Sequence, residues 1–238
     1  GQLLIACLAC PQLGVNIPNG WESVDGEDKY LYALLVLMNT NFKLKNHMQS
    51  ANEADLGLVT GLAYFVKPMG YSQHLKHLAT QTDTSTCNGF KAITSAKTKI
   101  LSGIRSTGVH ACFYLVAYLL MILSYHNMDW VLLTTLLSFA LITLYIIYNI
   151  ACQFKIHFKD QMCQVPDKLQ LPDGIEPQFT ILKCHCPVHK QKCQTLHSLN
   201  LMLGVGRTDG EEIEQDWSSL NPIFNSTNPC MSQGNHDG

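Results

Sequence analysis

VLLTTLLSFALITLYIIYNI, residues Val131 to Ile150, is the stretch on which the fold turns. It contains no charged residue and is as long as an apolar helix that crosses a bilayer. It also divides into two shorter pieces, a buried helix from Val131 to Leu137 and a buried strand from Leu141 to Tyr148. Tyr145, Ile146, Ile147 and Tyr148 are aromatic or β-branched, which favours the strand. The first reading gives a small membrane protein with one or two helices in 108–150. The second gives an α/β domain. Composition leaves both standing, since 47% of the residues are hydrophobic and only 14% are charged; soluble domains carry about a quarter.

Other apolar runs flank this one. Tyr30 to Met38 (YLYALLVLM) is short enough for a buried strand and runs straight into Asn39-Thr40-Asn41. Gly61 to Val66 (GLAYFV) reads as a second strand. Phe90 to Ile104 spaces Ile93, Ala96, Ile100 and Ile104 as a helix would, with Lys91, Lys97 and Lys99 outside that row. Ala111 to Leu123 is strongly apolar, and the polar break Ser124 to Asp129 separates it from the long run. Ser72 to Thr82 carries His74 and His77 but has no clear apolar face. Residues 1–28 are broken by Pro11, Pro18, Gly14, Gly20 and Gly26, and Val165 to Pro177 reads as a linker. A formal net charge of −2 argues against unspecific phosphate binding by the whole surface.

Three features carry candidate chemistry. In LGVGRTDGEEIEQDW (Leu203 to Trp217), flexible glycines Gly204 and Gly206 precede Asp209, Glu211, Glu212 and Glu214. A helix starting near Asp209 places Glu211 and Glu214 on one side. Carboxylates so held can bind a divalent cation; acids in a first turn also complement the helix dipole without any ligand. The second feature is Cys184-His-Cys-Pro-Val-His-Lys-Gln-Lys-Cys193. His185, Cys186, His189 and Cys193 suit tetrahedral zinc, with Cys7 and Cys10 as further thiolates. Their spacing is not that of a standard finger, and a helix start with surface histidines and ordinary cysteines explains them too. The ten cysteines, with no signal stretch ahead of them, read as mostly reduced intracellular thiols, a minority on zinc. The third feature is a pair of strand ends, where Asn39 and Asn149 each follow an apolar run. Adjacent strands ending at one edge would bring these side chains together. Acids there, joined by Glu214, would make a two-metal nuclease site; asparagines read by default as polar strand termini.

These stretches occur in an order that carries a resemblance. NTNFKLKN (Asn39 to Asn46), GLAYFV, STCNGFKA (Ser85 to Ala92), NMDW (Asn127 to Trp130), YNIACQF (Tyr148 to Phe154), CHCPVHKQKCQ (Cys184 to Gln194), SLNLMLGVGRTDGEEIEQDW (Ser198 to Trp217) and SSLNPIFNST (Ser218 to Thr227) resemble the KDZ (Kyakuja–Dileera–Zisupton) transposases. CPQLGVNIPNGW (Cys10 to Trp21) resembles the segment ahead of that family's catalytic core. The resemblance implies an α/β, RNase H-like core, a mixed sheet flanked by helices with a DDE triad. It also implies cleavage of DNA by water and joining of the freed 3′-hydroxyl to a new strand. Mg²⁺ ions held by carboxylates would serve that chemistry.

Residue by residue, Asn39 stands where the family has the first triad aspartate, and Asn149 where it has the second. Asp209, Glu211 and Glu214 match the stretch that carries the third acid, and Glu214 is favoured by its distance from Trp217. His185, His189 and Cys193 match family positions, and Cys186-x-x-His189 resembles a Cys/Asp-x-x-His signature found in several DDE groups. Cys184 is peculiar to this chain. Between Val109 and Asn127 the family's polar stretch is replaced by the shorter, apolar FYLVAYLLMILSYH, so disruption of the core is expected at 109–150.

The expected organisation is a pre-catalytic segment at 1–28, an incomplete core at 29–227 and a truncated tail at 228–238. The expected protein is a fragmentary, catalytically dead relic of a transposase, nuclear or intracellular. DNA is its ancestral partner, it has no small-molecule substrate, and it holds Mg²⁺ weakly at best. Its rivals are a zinc-stabilised nucleic-acid or protein-binding module and the membrane protein above.

Overall fold

The structure is a computed structural model and describes residues 11–43, 46–47, 87, 104–106, 108–113, 117–121, 125–137, 139 and 143–232. The expected strand Gly61 to Val66, the expected helix Phe90 to Ile104 (except its last residue), His74, His77, Cys7 and Cys10 lie outside them.

The first long strand, β1, is Ala33–Asn41, and a short 3₁₀ turn at Lys29–Tyr32 leads into it. A two-residue strand β2, Asn46–His47, pairs with β3, Ile104–Ser106. β4 is Gly108–Phe113 and β5 is Ala117–Met121. Helix α1, Tyr125–Leu136, precedes β6, Thr143–Tyr148, and helix α2, Ala151–Met162, follows it. The chain then forms β7, Gln178–Thr180, a short helix α3, Gln191–His197, and the long helix α4, Glu212–Ser232.

The main sheet has five strands in the order β5-β4-β1-β6-β7. β1 runs parallel to β6, and β6 runs parallel to β7. β4 runs antiparallel to both β1 and β5, so the sheet is mixed. The stretch Val131 to Ile150 is therefore no membrane span: its first part belongs to α1 and its later part to β6. Among the described residues no helix is long and apolar enough to cross a membrane. Among the described residues of 109–150, where disruption is expected, the chain forms β4, β5, α1 and β6. Apolar residues of Ala111 to Leu123 suit strands covered by helices as well as they would suit lipid.

The central parallel strands are apolar on both faces because both faces are covered. Leu34, Val36 and Met38 of β1 and Leu144, Ile146 and Tyr148 of β6 point to one side. They meet Met128, Leu132 and Leu136 of α1 and Phe154 and Phe158 of α2. Phe154 makes ring contacts with Tyr148, Phe158 and Phe179 at centroid distances of 5.6, 5.6 and 6.2 Å. Leu37, Tyr145 and Ile147 point to the other side and meet Ile213 and Trp217 of α4, with Leu182, Leu199 and Val205. Each fully buried side chain of this kind stabilises the fold by roughly 1.5–3 kcal/mol relative to exposure.

Gly204 and Gly210, ahead of α4, lie in tight turns packed against β6, while Gly206 is exposed. Gly204 has φ +81°, and a Cβ there would lie 2.8 Å from the Tyr145 hydroxyl, which itself donates to the Leu203 carbonyl. Gly210 has φ +73°, and its Cβ would meet Ile147 Cγ2 at 2.9 Å. Both positions need glycine for the left-handed backbone and for the close approach. They seat the start of α4 directly on β6.

Candidate functional site

Parallel pairing explains how two distant asparagines come together. Met38 of β1 lies opposite Tyr148 of β6, so the next residues, Asn39 and Asn149, sit side by side at the carboxyl ends of both strands. Odd-numbered positions face α4, and Asn39 and Asn41 follow that alternation. Along α4, Glu214 and Asn221 are seven residues apart, hence nearly in line, two turns from one another. Asn41 Nδ2 donates to Asn221 Oδ1 at 2.9 Å, and Asn39 Nδ2 donates to Glu214 Oε1 at 2.6 Å. Asn149 Nδ2 donates to Asn39 Oδ1 at 3.2 Å.

Asn39 is 2% exposed and Asn149 is 7% exposed, so this chain of amides is out of bulk water. Its direction follows from the backbone. The Thr40 N–H, which can only donate, lies 2.6 Å from Asn39 Oδ1. The Asn39 NH₂ group must therefore face the carboxylate. His185 Nε2 also reaches Glu214 Oε1, at 2.9 Å, and donates to it. These bonds, from His185 first and from Asn39, hold the Glu214 carboxyl below its usual range despite opposition from burial.

The other two acids of the stretch point elsewhere. Glu211 Oε1 accepts from the Cys184 backbone N–H at 2.8 Å, and Asp209 Oδ1 accepts from the Glu211 N–H at 3.1 Å. Both serve the turn into α4, which begins at Glu212 rather than near Asp209. Of the three, Glu214 is the one in contact with Asn39.

The cysteine-rich segment divides. His185 belongs to the amide pocket, through Glu214. Cys186 lies partly buried against the hydrophobic core and does not join a ligand group among the described residues. His189 and Cys193 do, together with Cys87 and Cys152, and the four ligand atoms all lie within 4.8 Å of one another. Of the expected set His185, Cys186, His189 and Cys193, this group contains His189 and Cys193. The strand-end turn and α2 bring Cys152 in, and Cys87 arrives from a distant part of the chain. Cys87, Cys152 and His189 are buried and Cys193 is partly buried. Burial, with the neighbouring Cys193 and Cys87, pushes the Cys152 thiol up to about 12, opposed by a hydrogen bond from Gln153. Such a group could hold a metal ion, and soft thiolates with one imidazole are a donor set consistent with Zn²⁺. Sequence reasoning missed Cys87 and Cys152, although each lies inside a stretch that carries the family resemblance, STCNGFKA and YNIACQF.

Neither the search of curated proteins nor that of solved structures returned a match. A family model described as Kyakuja-Dileera-Zisupton transposase matches residues 32–237. That span holds β1, the sheet, both polar clusters and α4, and it covers most of the chain. The chain accordingly belongs to the KDZ transposase family.

Proposed function

We propose that this chain derives from a metal-dependent DNA strand-cleaving and strand-joining transposase and no longer catalyses that reaction. The observation that carries the reading is the hydrogen-bonded run Asn149–Asn39–Glu214 at the carboxyl ends of β1 and β6. Support for an RNase H-like frame comes from a mixed sheet covered by helices. Residues at the triad positions sit on β1, just past β6 and on α4.

The residues present do not fit a pair of Mg²⁺ ions. Mg²⁺ takes hard, preferably anionic oxygens. With aspartate at both strand ends the pocket would carry three carboxylates; here it carries one. The Asn39 amide nitrogen and the His185 imidazole already donate to that carboxylate, both to Oε1. Neutral amides cannot screen two dications that stand ~3.5–4 Å apart in enzymes of this type. The Asn149 amide instead donates to the Asn39 amide, which donates to Glu214. DNA is the ancestral partner in this reading, and a nuclear or other intracellular setting goes with it.

A nicking assay on supercoiled DNA with Mg²⁺ or Mn²⁺ tests the proposal. The expected result is no cutting above that of a Glu214→Ala variant. Robust cutting that Glu214→Ala abolishes would overturn it. The second reading, a metal-stabilised binding module without catalysis, is favoured by the Cys87, Cys152, His189 and Cys193 group and is compatible with the first.

A further inference from the structure

We infer that Cys87, Cys152, His189 and Cys193 bind one Zn²⁺ ion, and that this closed, structural site anchors the turn that presents Asn149. The inference goes beyond the proposed loss of catalysis and stands whether or not the amide pocket cuts DNA.

The geometry is that of a tetrahedral site. Zinc binds sulfur at about 2.3 Å and imidazole nitrogen at about 2.0–2.1 Å, so tetrahedral N and S ligands stand about 3.5 Å apart. His189 Nδ1 lies 3.4 Å from Cys87 Sγ and 3.5 Å from Cys152 Sγ. Cys193 completes the group, with all four ligand atoms inside 4.8 Å. Four protein ligands leave no open position, which marks a structural rather than a hydrolytic zinc.

The imidazole is set for this role from its other side. His189 Nε2 lies 2.9 Å from the Asn149 carbonyl oxygen, an acceptor, so Nε2 bears the proton and Nδ1 presents its lone pair to the thiols. Metal-bound histidines almost always donate their remote N–H in this way. Zinc binding would release the thiol protons to water and leave thiolates on the ion.

The ligands come from separate places. Cys152 is in the first turn of α2, three residues past Asn149. His189 immediately precedes Lys190, the N-cap of α3, and Cys193 is inside α3. Cys87 is remote from all of them along the chain. One ion would thus tie α2, α3 and the Cys87 segment to the end of β6. It would also hold the strap whose His185 reaches Glu214.

The test uses the full chain, purified without a chelating tag. Elemental analysis is expected to find about one zinc per chain, and Co²⁺ in its place should give intense thiolate-to-cobalt absorption with tetrahedral bands. Alkylation followed by mass spectrometry should show Cys87, Cys152 and Cys193 protected while metal is bound and modified after chelation. Exposed Cys163 and Cys184 should react in both states. Zinc should be lost in Cys152→Ser/Cys193→Ser and retained in Cys184→Ser/Cys186→Ser. A folded chain without zinc, alkylation unaffected by chelation, or zinc that leaves only with Cys184 and Cys186 would each overturn the inference. Cobalt spectra and alkylation use the unaltered chain, so they decide the matter even if a variant fails to fold. A zinc-free chain that also fails to nick DNA would sink this inference and leave the proposed function intact; a zinc-loaded chain that nicks would do the reverse.

Discussion

Two polar clusters flank the end of β6, and their chemistry differs. The Asn39, Asn149 and Glu214 pocket sets two neutral amides beside a single carboxylate, hydrogen-bonded in a row. The Cys87, Cys152, His189 and Cys193 cluster gathers three thiols and an imidazole that could hold a metal ion. Asn149 belongs to both, through its side chain to Asn39 and through its carbonyl to His189. A two-metal catalytic site depends on anionic ligands gathered at one point. A site that crosslinks the fold depends on ligands that also fill space in the core, so losing one harms the folded state itself.

The largest effect expected from breaking the comparison is metal removal. Structural zinc contributes folding energy outright, and in small zinc modules the binding free energy is roughly 10–16 kcal/mol. Chelation at neutral pH should therefore lower the midpoint of thermal unfolding by well over ten degrees, read by circular dichroism. An unchanged midpoint in a chain that has lost zinc would mean that the cluster is held by its packing alone.

Next in size is restoration of the pocket. Asn39→Asp with Asn149→Asp replaces the 2.6 Å amide-to-carboxylate bond by facing carboxylates. Without metal this variant should be less stable than the parent, by roughly 2–4 kcal/mol for like charges brought together with part-buried groups. Mg²⁺ should recover most of that loss. The parent should show no Mg²⁺-dependent change in its unfolding midpoint. A parent that is stabilised by millimolar Mg²⁺ would erase the distinction between the two clusters.

Smaller still is deletion of the one remaining acid. Glu214→Ala leaves the buried Asn39 NH₂ without its acceptor, which costs about 1–3 kcal/mol. Glu211→Ala removes a bond to an exposed backbone N–H and should cost roughly 0.5–1 kcal/mol by urea unfolding. Equal losses would mean that Glu214 has no special place in the pocket.

The smallest expected effect is on pH dependence. Burial depresses the pKa of His197, opposed by its bond to the Phe179 carbonyl and aided by Lys155. The unfolded chain therefore takes up a proton before the folded one does. Stability from this group is complete above the ordinary histidine value and is lost as the pH falls below about 6.5. Glu214 works in the same direction at lower pH: its carboxyl is depressed by His185 and Asn39, so its contribution is present above the ordinary glutamate value and fades as the pH falls through the lowered one. Unfolding midpoints should drop in two stages on acidification, and His197→Gln should flatten the first. A first stage that persists in that variant would assign it to another group.

What could be read from the chain alone were features written in local pattern. The run before Asn39 is a strand because β-rich apolar residues end at a polar break, although it begins at Ala33 and extends to Asn41. The division of 131–150 into helix and strand follows from Tyr145 to Tyr148, which stiffen an extended backbone. The meeting of Asn39, Asn149 and Glu214 was legible through motif order, since parallel strands that end together present their last residues at one edge. The short spacing of Cys184 to Cys193 pointed to His185, Cys186, His189 and Cys193 together, and of these the folded chain groups His189 and Cys193. Tertiary structure alone decided that His185 turns to Glu214 and that His189 and Cys193 meet Cys152 and Cys87. Periodicity records which face of an element is apolar; which remote segment covers that face is set by sheet order and helix docking. For the same reason only the folded chain shows that residues 111–113 and 117–121 belong to strands β4 and β5, because a sheet beneath protein and a segment in lipid ask for the same side chains.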